Sequence, residues 1–139
     1  MKLIGFNFTK ISIEKTQTTS KDFKISTNID IPEITEADNE ILNKEDKIIL
    51  ARFTYSVSYE PKLAEINISG DLLFMMDKEK AKGILKQWKD KKIPDDFKET
   101  LFNLVLRKSN VKALELEEDL KLPFHLPLPK ITFEGEKKD

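Results

Sequence analysis

The sequence contains no cysteine and only one histidine among its 139 residues. Without cysteine the chain has no disulfide framework, no thiolate nucleophile and no cysteine ligand for zinc, and a reducing cytoplasmic setting is the simplest one. The lone imidazole, His125, has no carboxylate beside it at ligand spacing, so we expect neither a metal site nor a cofactor. Because it stands between prolines without a partner in the local sequence, we expect His125 to be dispensable.

Glycine is also scarce. Gly5, Gly70, Gly83 and Gly135 are never clustered, which excludes a phosphate-cradling loop and a dinucleotide fingerprint. The paired carboxylates Asp95-Asp96 fall at a predicted helix start, where the helix dipole explains them without catalysis. The sequence therefore predicts a protein that is not an enzyme.

Long apolar runs and a dominant charge are absent too. The longest apolar stretch, Leu72–Met76, is far shorter than the roughly 20 residues of a membrane-spanning helix. Residues 1–10 alternate apolar with polar side chains, unlike a signal peptide. Since 24 basic and 25 acidic residues leave a net charge of -1, no overall basic field favours nucleic acid. The lysines of residues 78–92 indicate a solvated helix face or a docking surface for acidic partners.

Alternation of apolar and polar residues predicts four strands. The first breaks its period near Thr9-Lys10, where a β-bulge would restore one apolar face. Pro32 is predicted to end the second strand, and a long crossover loop, 33–47, is predicted to follow it. Gly70 in the fourth strand indicates a bulge or bend.

From Asp77 the apolar period becomes helical. A short helix is predicted to end near Lys91-Lys92, and a long one is predicted from about Asp95 to near Glu118. The prolines after Leu122 then favour extended backbone. The sequence thus predicts an α+β fold, a four-stranded antiparallel sheet followed by a short and a long helix, forming one domain over 1–133 with a charged flexible tail at 134–139.

The long helix carries more apolar residues than a single buried stripe requires. A large core explains this surplus, and so does contact with a second subunit or with an unfolded client chain. We expect a homo-oligomer whose interface includes three residues of this helix: Phe102, Val105 and Leu106.

This order of elements resembles the SecB export chaperone family. The resemblance covers about residues 3–131 and rests on patterns of residue type in four stretches: Phe23–Ile31, Ile48–Val57, Ile66–Phe74 with its mid-strand glycine, and the helix from Pro94 that leads to Leu122–Leu128. The resemblance implies an ATP-independent holdase, usually a homotetramer built as a dimer of dimers, that holds unfolded preproteins in hydrophobic grooves. It also implies a translocation or antitoxin partner.

Clients are expected to bind where the third and fourth strands meet the helices, because large aromatic and Met side chains adapt to varied sequences. The residues expected to line the grooves are Tyr55, Tyr59, Phe74, Met76, Phe97 and Leu101. Two other functions stay open: a structural or adaptor protein that uses the apolar surface only for fixed assembly, and a small-ligand carrier.

Overall fold

The structure, a computed structural model, describes residues 1–16, 22–38 and 45–134. Its elements in chain order are β1 (Lys2–Lys15), β2 (Lys24–Ala37), β3 (Asp46–Glu60), β4 (Ala64–Asp77), α1 (Lys78–Trp88) and α2 (Asp95–Asp119). The strands form one antiparallel sheet in the order β1-β4-β3-β2, so that β1 and β2 are its edges. The predicted α+β architecture is confirmed.

The core lies on one face of the sheet, under the helices. Alternate residues of the central strands are buried there, from Ile49 to Tyr59 in β3 and from Ala64 to Met76 in β4. Each fully buried large apolar side chain contributes roughly 1.5–3 kcal/mol relative to exposure. Because the buried residues alternate, the two-residue period that predicted these strands also shows which face of the sheet the helices cover.

The bulge predicted near Thr9 is confirmed. The pairing of β1 with β4 shifts register between Phe8 and Lys10, and it shifts a second time between Leu3 and Gly5. Each extra residue returns the following apolar side chains to the helix face, so that Ile11 lies opposite the buried Ile68.

The prediction that Pro32 ends the second strand is wrong, because β2 continues to Ala37. Its pairing with β3 shifts between Asp30 and Glu33, so Ile31 and Pro32 form a bulge. Proline lacks the amide donor of a regular ladder, but a bulge in an edge strand tolerates that loss. The crossover is accordingly shorter than 33–47, and its middle part, residues 39–44, lies outside the described residues.

Gly70 allows close approach. The bulge beside it lies in β1, between Phe8, the partner of Gly70, and Lys10, while the pairing of β4 with β3 is regular here. A Cβ atom at this position would lie 2.6 Å from a ring carbon of Phe53, and closer still to the carbonyl oxygen of Asn7. The neighbouring β1 backbone and the Phe53 ring thus occupy the space that any side chain would need.

We expect Gly70→Ala to destabilise the chain by about 2 kcal/mol or more, because a core this tight has no room for another methyl group. Gly83→Ala is the matched control, since nothing lies within 4 Å of its added Cβ in the middle of α1. That replacement should stabilise by about 0.5–1 kcal/mol. Urea unfolding of both variants measures the two effects, and equal midpoints would contradict the conclusion that Gly70 has no room for a side chain.

The helix starts follow the sequence closely. The Asp77 carboxylate caps α1 by accepting a hydrogen bond of 2.8 Å from the amide of Lys80, as predicted. The helix ends at Trp88, slightly before the predicted lysines. α2 begins at Asp95 and ends at Asp119, close to both predicted bounds. No helix in the described part of the chain is long and apolar enough to span a membrane.

Only one narrow stripe of α2 is buried. It repeats every fourth residue and consists of Phe97, Leu101, Val105, Ser109, Ala113 and Glu117. The neighbouring apolar residues are only half-buried: Phe102, Leu104, Leu106, Leu114 and Leu116. A single chain therefore covers one stripe of this helix and leaves the apolar residues that flank it partly accessible.

Candidate functional site

A cavity of about 730 Å³ opens where the bulge of β2 faces the junction of α1 and α2. Five apolar residues line it: Ile31, Pro32, Trp88, Ile93 and Phe102. The polar lining residues are Asp30, Gln87, Lys91, Lys92, Asp95 and Lys98. The term groove is used below for this cavity. Its volume lies within the range of about 300–1,000 Å³ typical of ligand sites.

Local structure explains why these side chains meet. The β2 bulge places Ile31 and Pro32 against the cavity at a break in the ladder. Trp88 is the last residue of α1 and is half-buried. Phe102 follows the fully buried Leu101, and the turn of about 100° per residue leaves its ring at the margin of the core. The aromatic rings of the groove thus sit between core and solvent.

Lysines cover the aromatic rings at the groove edge. The Lys91 ammonium lies 4.6 Å from the centre of the Trp88 ring, and that of Lys98 lies 5.9 Å from the Phe102 ring. Such cation–π contacts at exposed sites contribute about 0.5–1 kcal/mol. With three lysines and two aspartates among its lining residues, the groove combines apolar walls with a mildly basic edge.

Within the described residues, no group of three or more His, Asp or Glu side chains is placed to hold a metal ion. The groove lining also contains no serine, threonine or histidine. Its chemistry therefore combines five apolar residues with five charged ones and Gln87, so that it can contact both apolar and charged groups of a ligand.

A buried polar network holds the C-terminal segment, residues 122–134, at the other end of α2. The Nδ1 atom of His125 lies 2.6 Å from the Glu117 carboxylate, and the His125 amide donates to that carboxylate at 3.1 Å. Only 1% of the imidazole and none of the carboxylate is exposed. On the other side of the ring, Nε2 lies 2.9 Å from the Tyr55 hydroxyl and 3.1 Å from the side-chain oxygen of Asn110, Oδ1.

The two tyrosines of β3 remain donors in this network. Burial raises the pKa of the Tyr55 phenol well above its usual range, and the Glu117 carboxylate raises it further. The pKa of Tyr59 is raised in the same way, first by burial and then by Glu117. Both phenols are protonated at neutral pH. Tyr55 donates to the side-chain oxygen of Asn110, Oδ1, at 2.6 Å, and Tyr59 donates to the backbone carbonyl oxygen of Pro123.

The end of α2 is fixed from a second direction. The Lys15 ammonium, at the end of β1, donates to the carbonyl oxygen of Leu120 at 2.9 Å. The last turn of the helix has no basic residue of its own, so Lys15 supplies the cation that a helix C-terminus favours. The start of the C-terminal segment is therefore held by sheet and helix together.

Comparison with known proteins gives a structural match and no sequence match. No family model matches the chain, and no curated protein matches it. A SecB-like chaperone of Mycobacterium tuberculosis, solved in complex with a ChAD peptide from the HigA1 antitoxin, superposes with a TM-score of 0.57. The alignment covers 95% of this chain and 91% of that chain at 10% identity.

The fold is SecB-like. At this identity the likeness concerns the fold alone, and it agrees with the element order on which the sequence resemblance rests.

The six residues expected to line client grooves are all buried within the SecB-like fold of a single chain. Met76 is the most exposed of them at 3%, and the set is Tyr55, Tyr59, Phe74, Met76, Phe97 and Leu101. The structure does bring strands and helices together there, with the Phe74 and Phe97 rings 5.2 Å apart. It seals these side chains, however, so the expectation of an open groove at these positions is wrong for the single chain.

The three residues expected at an oligomer interface separate by position on α2. Val105 is fully buried against the sheet and offers no surface to a second subunit in this arrangement. Phe102 and Leu106 are half-buried, and Phe102 lines the groove. Of these three residues, only Phe102 therefore contributes to the groove, one residue after the buried Leu101.

The expectation that His125 is dispensable rests on its having no partner, and that premise is wrong. Its partner Glu117 lies eight residues away, and the two meet because the chain reverses after α2. A sequence signal was present: Glu117 continues the every-fourth-residue stripe of α2 into the core, where a carboxylate requires a partner.

Proposed function

We propose that this chain is an ATP-independent holdase that binds unfolded polypeptide segments in the groove. The observation that carries the proposal is an open cavity walled by Trp88, Phe102 and Ile31 within a SecB-like fold. The M. tuberculosis structure of that fold contains a peptide from an antitoxin, so a peptide ligand for this chain is also in keeping with the fold. No catalytic role is proposed.

Several properties of the groove favour a polypeptide over a small ligand. Three separate elements contribute to its lining, namely the β2 bulge, the end of α1 and the start of α2. Its apolar part offers few groups that would orient one particular small molecule. Flexible lysine stems and two aromatic rings can instead adapt to different side chains.

Self-association is proposed through the side of α2 that carries Leu104 and Val111, which are seven residues apart and therefore lie one above the other. Leu104 is half-buried, and Val111 is 67% exposed. Contact between copies would remove this surface from water and bring grooves of neighbouring subunits together. A cytoplasmic homotetramer arranged as a dimer of dimers, with a translocation motor or an antitoxin as further partner, is the assembly we propose.

The test is suppression of aggregation without nucleotide. We expect the purified protein, at near-stoichiometric ratio, to keep an unrelated denatured protein from scattering light after dilution from denaturant. Apolar contact depends little on ionic strength, so the effect should persist at about 0.5 M salt, where screening lengths fall to a few ångströms. Unchanged aggregation at every ratio would instead support an adaptor or a small-ligand carrier.

A further inference from the structure

The C-terminal segment presents large apolar side chains to solvent. Phe124 is 37% exposed, Leu128 47%, Ile131 84% and Phe133 69%. Residues 122–134 contain neither helix nor strand, and three prolines disfavour both. The chain thus carries, covalently attached, a segment with the chemistry of an unfolded client.

The first contacts of this segment lead it back along α2. The Leu122 amide donates to the carbonyl oxygen of Glu117 at 2.8 Å. Three residues later His125 reaches Asn110, seven positions earlier in the helix than Glu117. The segment therefore runs toward the N-terminal end of α2, where Phe102 lines the groove.

The sheet register points the same way. His125 contacts Tyr55 of β3, and Tyr55 pairs with Ile29 of β2. The three residues directly after Ile29, Asp30–Pro32, line the groove. His125, which anchors the C-terminal segment, thus contacts the strand next to β2, at a level one to three residues from the part of β2 that lines the groove.

The remaining length is sufficient to reach the groove. From Asn110 to Phe102 the helix spans eight residues, about 12 Å at 1.5 Å per residue. From His125 to Phe133 the segment also has eight residues, which extend to about 25 Å at 3.1 Å per residue. Ile131 and Phe133 can therefore reach the level of Phe102, whose ring lines the groove.

We infer that residues 126–134, which lie outside the groove in the arrangement described, close onto it as an intramolecular competitor, with Ile131 and Phe133 then seating against Trp88 and Phe102. Glu134 then approaches the lysines of the groove edge, which supplies charge complementarity. Anchoring at His125 keeps the segment at an effective concentration in the millimolar range, so a weak intrinsic affinity is enough to matter. The inference rests on the proposed function and adds regulation: a client must displace the chain's own segment.

Trp88 makes the contact measurable, because it is the only tryptophan in the chain. The test compares Ile131→Ser/Phe133→Ser with the control Lys130→Ala/Thr132→Ala; all four positions are exposed, so both variants should fold. Only the first should shift Trp88 emission to the red. It should also bind a fluorescent unfolded polypeptide about 3–10-fold more tightly than the parent, since competition by the tethered segment is removed. A synthetic peptide of residues 126–134 should compete with that polypeptide.

Two results together would overturn the inference: the Trp88 emission of Ile131→Ser/Phe133→Ser equals that of the parent, and the peptide does not change it. This holds whether or not the variant binds the unfolded polypeptide more tightly. An emission difference that appears only as chain concentration rises would also overturn it, because the occupant would then be the segment of a second copy. If the peptide shifts the emission but no unfolded polypeptide binds, the proposed function fails while the contact stands. The two failures are therefore distinguishable.

Discussion

Replacing Phe102 with serine should weaken the binding of an unfolded polypeptide by about tenfold to thirtyfold. We expect truncation of this aromatic residue at the binding surface to cost about 1.4–2 kcal/mol, and each 1.4 kcal/mol is a factor of ten. Phe102 is half-buried in the groove wall, so its ring is available to a ligand while its backbone is fixed by α2. Anisotropy of a labelled polypeptide measures the loss.

Asn103→Ser is the matched control for Phe102→Ser. Asn103 is the next residue of the same helix, about 100° around the axis, and it is exposed and does not line the groove. Both changes place serine in an α2 position, so their effects on helix propensity are similar. Circular dichroism and thermal unfolding must show that both variants remain folded. Equal affinity of the two folded variants would remove Phe102 from the binding site.

Replacing His125 with alanine should destabilise the chain by about 3–5 kcal/mol, the range for breaking a buried ion pair or its hydrogen-bonded equivalent. The reason is that Glu117, with none of its side chain exposed, loses the imidazole that satisfies its carboxylate. The Tyr55 hydroxyl loses one of its two contacts as well. Urea unfolding at a fixed chain concentration measures the effect, since self-association would otherwise shift the midpoint.

Two comparisons separate this network from general damage to the C-terminal segment. Lys130→Ala changes an exposed residue of the same segment and should leave stability within about 0.5 kcal/mol. The double variant Glu117→Leu/His125→Leu should cost less than the two single leucine changes added together, because it removes the orphaned charge. If His125→Ala unfolds at the same urea concentration as Lys130→Ala, the network has no structural role.

The sequence predicts most of the scaffold because its signals are local. Two-residue alternation marks β1 to β4, and the cap at Asp77 with Pro94 marks both helix starts. The predicted end of β2 at Pro32 was wrong. A strand can continue past a proline where it is an edge strand, and which strands are edges follows from the strand order of the whole sheet.

The candidate site was less accessible from sequence for a physical reason. Alternation places Tyr55 and Tyr59 on one face of β3, but it does not tell whether helices seal that face. The partnership of His125 with Glu117 requires the chain reversal after α2, and no local period encodes it. Likewise, the groove that Phe102 lines also needs the bulge at Ile31 and Pro32, which is distant in the sequence.

The central claim, that the groove itself holds unfolded polypeptide, is tested most directly in the Ile131→Ser/Phe133→Ser variant, in which the chain's own segment no longer competes. Its Trp88 emission is followed while an unfolded polypeptide without tryptophan is added. We predict a saturable shift without nucleotide, reaching its plateau near stoichiometric ratios, and no shift with the native form of the same polypeptide. Trp88 is half-buried at the end of α1 and lines the groove, so occupancy must change its surroundings. Binding that saturates while the Trp88 emission stays constant would contradict the account, because the polypeptide would then lie elsewhere on the chain.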